Sequence, residues 1–358
     1  MTKHDPSLTL TTPPVEEPPP LAEATTVQER GFDLRRSLLR PRTLVSFALA
    51  AAIIAFVFTR VDINPAQIWR EARQVSPWLY GFAFLSFYAT FPLRALRWRI
   101  LLRSADFPVD EGRHTWASLP ALTEYLGLSW FANCVVPAKL GDAYRGYLLK
   151  HNGNVSFGRS VGTIFAERLL DMIVLFGLLV GSGWLAFGTQ LPSIARYAFV
   201  LGAGLVVVII VGLAAMRYLS PFIRRFVPTR LERIYGSFEA GTLGSLKPRT
   251  LPVLFALTAL VWLGESLRLF FVIEAFGGLS LGLAPIMFIA LTSSLLTTIP
   301  ATPGGLGLVE SGIIGVLQSP LFGVGTALAG AVALLDRVIN YWSIVVFGFI
   351  LYLFSKRK

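Results

Sequence analysis

Apolar residues in this chain fall into long runs rather than the half-polar patterns of helices and strands that face water on one side. Residues 43–59 (TLVSFALAAAIIAFVFT) and 197–216 (YAFVLGAGLVVVIIVGLAAM) carry no charge and approach or reach the roughly 20 residues a helix needs to cross a bilayer. Residues 172–187 and 251–264 are equally apolar, with short charged clusters beside them. Another apolar stretch, at about 77–97, ends in Arg94, Arg97, Arg99 and Arg103. The pattern predicts an all-α, polytopic integral membrane helical bundle. Residues 1–29 are different: rich in Pro, Thr and Glu, with few large apolar side chains. Such a segment cannot bury enough surface to fold, so 1–42 is expected to be a disordered cytoplasmic tail and 43–358 the membrane domain. An apolar run that starts this late, behind a long polar tail, reads as a retained helix rather than a cleaved signal.

Composition agrees. The 358 residues are 54% hydrophobic and only 15% charged, against about a quarter charged in soluble domains, and the mean hydropathy is +0.62. Cys134 is the only cysteine, so no intrachain disulfide can form. His4, His114 and His151 share no metal-ligand spacing and no phosphate-binding P-loop is present; neither a metal nor another cofactor is expected. The net charge of +11 would suggest a nucleic-acid partner in a soluble protein. Here the basic residues gather in particular loops, which suits membrane topology and contact with anionic lipid head groups, and no nucleic acid is expected.

The distribution of Lys and Arg sets an orientation. Arg30, Arg35, Arg36, Arg40 and Arg42 precede the first run; Arg217, Arg224, Arg225, Arg230, Arg233, Lys247 and Arg249 fill the loop 217–249; Lys356, Arg357 and Lys358 close the chain. Both termini and that loop are therefore expected in the cytoplasm, while 188–195 and 275–284 read as external. The loop is open to two readings, an amphipathic surface helix on anionic lipid or a simple topology determinant. Two segments, 115–148 and 283–320, begin and end on the same side. The expectation is about six full crossings plus two re-entrant helical pairs, one from each face; the alternative, in which each pair crosses twice, gives the same charge pattern.

Each of these segments contains a break. The first reads Asn133-Cys134-Val135-Val136-Pro137-Ala138-Lys139-Leu140-Gly141-Asp142-Ala143-Tyr144-Arg145; the second includes Pro300, Pro303, Gly304, Gly305, Gly307 and Glu310. Proline removes a backbone donor and glycine permits unusual conformations, so a helix stops and restarts there. Irregular backbone at membrane depth survives only when buried in protein or lining a wet cavity. Both breaks are echoed downstream. Asp142 precedes Arg168 by 26 residues and Glu310 precedes Arg337 by 27, and each arginine sits beside acids (Glu167 and Asp171; Asp336). Three predicted crossings separate the breaks, and an odd number inverts direction. This is the signature of an inverted repeat, in which paired broken helices mark a transport site.

The intramembrane charges Glu167, Arg168, Asp171, Asp336 and Arg337 have two readings, a substrate site or ion pairs that lock helices together. Charges at the bilayer centre cost about 2.5–3.5 kcal/mol on insertion scales, so each needs a partner. Glu167, Arg168 and Asp171 can form a local ladder, as can Glu265 and Arg268. Glu124 and Arg145 have no local partner and are expected to pair across the site. Arg94, Arg97 and Arg99 read as an interfacial anchor to phosphates.

The N-x3-P-x3-G-D-x2-R stretch (Asn133, Pro137, Gly141, Asp142, Arg145), the E-R-x2-D stretch (Glu167, Arg168, Asp171) and the P-G-G-x-G-x2-E stretch (Pro303 to Glu310), followed by Asp336-Arg337 with Tyr341, resemble the lysylphosphatidylglycerol synthase transmembrane family, also called flippase-like. The resemblance covers about residues 40–355; Asp142 departs from the glutamate common in the family. It implies a protein of the bacterial inner membrane that moves a polar-headed lipid between leaflets. It leaves the lipid open among aminoacylated phosphatidylglycerol, polyprenyl-phosphate-linked glycans and hopanoid-pathway lipids. In two-domain relatives a soluble domain performs aminoacyl transfer. This chain runs to Lys358 directly after its last helix, so that domain is expected to be absent, and a soluble synthase or glycosyltransferase is a conceivable partner. On this reading Asn133, Pro137, Lys139, Gly141, Asp142, Arg145, Glu167, Arg168, Asp171, Pro303, Gly304, Gly305, Gly307, Glu310, Asp336 and Arg337 form a lipid-binding site with no catalytic residue. Lys139 and the arginines would offset phosphate charge, and the helix starts would offer amides to an anionic head group.

Overall fold

A computed structural model of the chain describes residues 65–109, 116–136, 140–188, 193–226, 228–279, 281–297 and 302–357. The predicted tail 1–42 and first helix 43–59 lie outside these residues, as do Pro137 and Lys139. Helix is the regular secondary structure of the described residues, without a strand among them. In chain order the helices are α1 (Pro65–Arg73), α2 (Pro77–Ser104), α3 (Leu119–Val135), α4 (Leu140–Gly153), α5 (Phe157–Phe187), α6 (Ser193–Tyr218), α7 (Ser220–Phe226), α8 (Thr229–Ser245), α9 (Leu251–Glu274), α10 (Leu283–Leu296) and α11 (Leu308–Leu317). The last, α12 (Thr326–Phe354), is interrupted by one π-helical turn at Val338–Trp342.

Local chemistry places several of these starts. Ser118 accepts a hydrogen bond from the Ala121 amide at the head of α3, and Ser156 accepts one from Arg159 at the head of α5. Each serine satisfies one of the amides that a helix start leaves without a partner. Proline occupies the first turn of α2, α3 and α9, where its missing N–H costs nothing.

Phe157–Phe187, Phe199–Tyr218, Leu251–Glu274 and Thr326–Phe354 are long and apolar enough to cross a membrane. α2 is comparably long, at 28 residues, but carries its arginines in its C-terminal half. The first three of the four apolar spans lie between the two broken pairs. Large apolar side chains such as Leu185, Val200, Val208, Phe347 and Leu353 are exposed on the outside of the bundle, which suits lipid as the surrounding solvent and would be costly in water.

Both breaks are present. α3 and α4 (17 and 14 residues) flank the first, and α10 and α11 (14 and 10 residues) flank the second. At about 1.5 Å per residue none of these four pieces reaches the roughly 30 Å of a bilayer core. The basic segment 217–249 is not an open loop but contains α7 and α8. The Thr242 hydroxyl on α8 bonds the Gly162 carbonyl of α5 at 3.3 Å, which clamps α8 against that span. α2 and α9 pack side by side, and both carry buried charges on their facing surfaces.

Candidate functional site

The two breaks are built differently and meet at one residue. At the first, the Gly141 amide donates to Asn133 Oδ1 at 2.8 Å and Ser129 Oγ donates to the Gly141 carbonyl at 2.8 Å. A Cβ on Gly141 would lie 2.0 Å from the Ser129 carbonyl oxygen, so only glycine allows α3 and α4 to approach this closely. At the second break a short 3-10 turn, Pro303–Gly305, precedes α11. Gly304, Gly305 and Gly307 there have φ of +57°, +71° and +83°. The Gly307 amide donates to Glu310 Oε2 at 2.9 Å. Asn133 and Glu310 therefore cap the helix starts that the sequence offers to an anionic head group, and Asp142 and Glu310 place negative charge in both first turns. From α12, the Tyr341 hydroxyl donates to the Cys134 carbonyl at 2.9 Å, while its ring lies where a Cβ on Gly304 would be, 2.6 Å from Cε2.

The charged side chains form two chains of ion pairs. In one, Arg145 pairs with Glu167 at 2.8 Å, Glu167 with Arg97 at 2.8 Å, and Arg97 with Asp171 at 2.6 Å. Asp171 lies 3.6 Å from Arg168, which pairs with Asp142 at 2.8 Å. In the other, Arg94 pairs with Glu265 at 2.8 Å, Glu265 lies 3.4 Å from Arg268, and Arg268 bonds Asp336. Asp336 accepts from Asn340 at 2.8 Å, and Arg337 beside it pairs with Glu310 at 3.0 Å. Both chains end in the same way, with the acid of a break held by the arginine 26 or 27 residues later. Both also join an arginine of α2 or α9 to an acid of the helix that follows each broken pair, α5 or α12, through Arg97–Asp171 and Arg268–Asp336. The spacing legible in the sequence is thus a repeated ion pair.

A cavity of about 180 Å³ lies between the breaks. Its charged lining is Arg94, Arg168, Arg268 and Arg337 against Glu265 and Asp336. Asn133, Cys134, Gly304, Gly305 and Tyr341 bring the two breaks to its wall. Trp130, under the Arg94 guanidinium at 4.8 Å, and Trp262 add aromatic surface.

Of the residues singled out from sequence, Asn133, Arg168, Gly304, Gly305, Asp336 and Arg337 line this cavity. Gly141, Asp142, Gly307 and Glu310 sit at the helix starts. Arg145, Glu167 and Asp171 lie instead in a fully buried cluster with Arg97, the Arg145 guanidinium stacked 4.4 Å from Trp98. Pro303 contributes its backbone to the 3-10 turn; its side chain, like Pro137 and Lys139, is outside the described residues. Three pairings differ from expectation. Arg94 and Arg97 are not interfacial anchors: they are 3% and 0% exposed and held by carboxylates of α9 and α5. Arg145 pairs with Glu167 rather than Glu124. Glu124 binds Arg357 at 2.5 Å and accepts from Ser355 Oγ at 2.6 Å, which ties the C-terminal segment to α3. Sequence reading missed Arg94, Arg97 and Arg268 as members of the site. The available signal was the three-residue spacing of Arg94 and Arg97, which puts both on one face of α2.

Comparison with known proteins places the chain among membrane proteins of one family. The family model described as the lysylphosphatidylglycerol synthase TM region matches residues 43–348. A UPF0104 membrane protein of Methanocaldococcus jannaschii is 39% identical over 64% of this chain and 95% of its own length. Another, from Methanothermobacter thermautotrophicus, is 25% identical over 84% of this chain and 91% of its own length. The glycosyltransferase AglD of Haloferax volcanii is 25% identical over 86% of this chain, a match that spans 53% of that longer protein.

Proposed function

The chain belongs to the family of the lysylphosphatidylglycerol synthase TM region, and from that premise we propose that it is a lipid transporter of the flippase type. Its substrate on this reading is a polar-headed lipid, anionic or polyprenyl-phosphate-linked, carried between leaflets of the inner membrane. The observation that carries the reading is the cavity between two broken helix pairs, into which Arg168 and Arg337 face from equivalent ion pairs. A head group entering the cavity competes with Asp142 for Arg168 and with Glu310 for Arg337. Each pair would then open when its arginine turns to the phosphate and close when the lipid leaves. The pairs belong to opposite halves of an inverted repeat, so their alternation would expose the cavity first to one leaflet and then to the other. Acyl chains stay in the bilayer, and the exposed basic residues Arg217, Arg225, Arg233, Lys247 and Arg249 rest on anionic head groups with both termini cytoplasmic.

The test is translocation by the purified protein in proteoliposomes, read by quenching of fluorescent phosphatidylglycerol from the outer leaflet. Arg168→Ala and Arg337→Ala should each slow the protein-dependent rate at least tenfold. Rates equal to that of the unaltered protein in both variants would remove the site assignment.

The relative named as a glycosyltransferase favours a second reading, in which this membrane domain is a component of a lipid-linked glycan or other lipid-modifying system, recruiting a soluble synthase or glycosyltransferase. Co-purification of such an enzyme, with no translocation by the isolated chain, would decide for it.

A further inference from the structure

Five residues of the cavity wall carry a buried donor without a hydrogen-bond partner; Arg268 Nε and Arg337 Nε face carboxylates at 3.4 and 3.0 Å, and the other three, Arg94 Nε, Trp262 Nε1 and Ser293 Oγ, face none. They come from three different helices, α2, α9 and α10. Their residues are only 3%, 9% and 4% exposed, so bulk water does not satisfy them. An orphaned buried donor costs about 1–3 kcal/mol, and native structures keep few of them. Finding these three on one cavity wall calls for an occupant that accepts hydrogen bonds.

The donors are also held in place. Arg94 gives Nη2 to Glu265 Oε1 at 2.8 Å and lays its guanidinium over Trp130, which leaves its Nε edge unbonded. Trp262 sits one helical turn before Glu265, with its indole packed among Leu175, Leu179, Phe288 and Leu291. The neighbouring hydroxyls of Ser294, Thr297 and Thr302 already donate to backbone carbonyls; Ser293 does not. A guanidinium N–H and an indole N–H can only donate. Arginine outnumbers carboxylate on the wall, which favours a charged acceptor over a sugar hydroxyl.

We propose that Arg94 Nε, Trp262 Nε1 and Ser293 Oγ form a phosphate subsite that takes the oxygens of a phosphate ester. This deepens the transporter reading by naming the part of the substrate held at mid-cavity, and rests on that reading only for the passage of lipid after binding.

Ser293→Ala deletes one donor with little change of volume; Trp262→Phe deletes the other together with part of the buried ring. The full chain, purified in detergent, is titrated with dihexanoyl-phosphatidylglycerol, with inorganic phosphate and with phosphate-free dihexanoylglycerol, and Kd is read from the shift in melting temperature. The phosphatidylglycerol should bind the unaltered protein, and each variant should bind it about tenfold more weakly, the size of one hydrogen bond to a charged group. The ligand-free melting temperature of Ser293→Ala should hold or rise, because removing an unpaired donor removes a penalty, whereas Trp262→Phe also gives up packing against Leu175, Leu179, Phe288 and Leu291 and should melt lower. If one variant does not fold, the other decides. Inorganic phosphate that binds the unaltered protein and not the variants supports a phosphate subsite open to the free ion; no effect of inorganic phosphate beside tight phosphatidylglycerol binding supports the lipid as its source. An unchanged Kd in the variants, or equal binding of dihexanoylglycerol, overturns the proposal. Translocation is scored separately. Binding through these donors without translocation overturns the transporter reading and keeps the subsite; translocation with an unchanged Kd in the variants does the reverse.

Discussion

Tyr341 ties the two breaks together: its hydroxyl donates to the Cys134 carbonyl at 2.9 Å while its ring fills the space that a side chain on Gly304 would need. It does so from the π turn of α12, one turn beyond Asp336 and Arg337. A π turn inserts a residue into the helical repeat and re-aims the side chains after it, and here it brings a phenol to a carbonyl 207 residues away in the chain.

Tyr341→Phe keeps the ring against Gly304 and leaves the Cys134 carbonyl without its donor. The expected loss is about 1–3 kcal/mol, seen as a lower melting temperature of the purified protein. A melting temperature equal to that of the unaltered protein would show that the bond contributes nothing to the junction.

Gly304→Ala meets two obstacles, a φ of +57° and the Tyr341 ring 2.6 Å from the new Cβ. Positive φ and overpacking each cost on the order of 1–3 kcal/mol. The variant should therefore be less stable than Tyr341→Phe, and pairing it with Tyr341→Ala should recover part of the loss. Additive losses in the double variant would separate the two residues.

Arg145→Ala tests whether Arg145 locks the fold or serves transport. The motif it belongs to points to substrate binding with the fold intact. Its place, 1% exposed against Glu167 and Trp98, points to a lock, since removing one partner of a buried pair costs about 3–5 kcal/mol. Poor folding that Arg145→Met with Glu167→Gln partly restores is the expected result. A well-folded Arg145→Ala protein that does not move lipid would return the residue to the site.

Asp142→Asn should behave in the opposite way, and Glu310→Gln in part. The Asp142–Arg168 pair is partly exposed, at 20% and 32% of the two side chains, and solvent screening limits what such a pair adds to stability. Glu310→Gln keeps a carbonyl oxygen able to accept from Gly307 but takes the carboxylate from Arg337, which is 5% exposed, so this variant should also lose stability. Asp142→Asn should melt within a few degrees of the unaltered protein while translocation in proteoliposomes slows in both variants, and normal rates would count against alternating pairs.

Cys134 is the chain's single cysteine and lines the cavity, so it reports on occupancy without further engineering. Maleimide labelling should be slow, because the residue is 5% exposed, and slower still with dihexanoyl-phosphatidylglycerol bound. Labelling indifferent to lipid would place the ligand elsewhere.

The breaks are legible in the sequence because Pro and Gly act locally, and the Asp142–Arg168 and Glu310–Arg337 pairs because their spacing repeats. The rest of the site is not, for physical reasons. Arg97 meets Glu167 across 70 positions, Arg268 meets Asp336 across 68, and Arg94 meets Glu265 across 171; no periodicity reports such contacts. Loop counting draws Arg94 and Arg97 to the membrane interface, because it weighs position along the chain and ignores the carboxylates that folding brings beside them. Trp262 and Ser293 carry no charge and read as part of an apolar helix face until their missing partners are seen.

In the two ion-pair chains, Arg94, Arg97, Arg145, Arg168, Arg268 and Arg337 are matched in number by Asp142, Glu167, Asp171, Glu265, Glu310 and Asp336, so this group of side chains has no net charge of its own to move. If an anionic lipid crosses between these helices, the charge displaced per turnover is that of its head group. The transmembrane voltage then acts on the cargo, at about 2.3 kcal/mol per charge for each 100 mV, and in an energised membrane it drives anionic lipid toward the positive outer side.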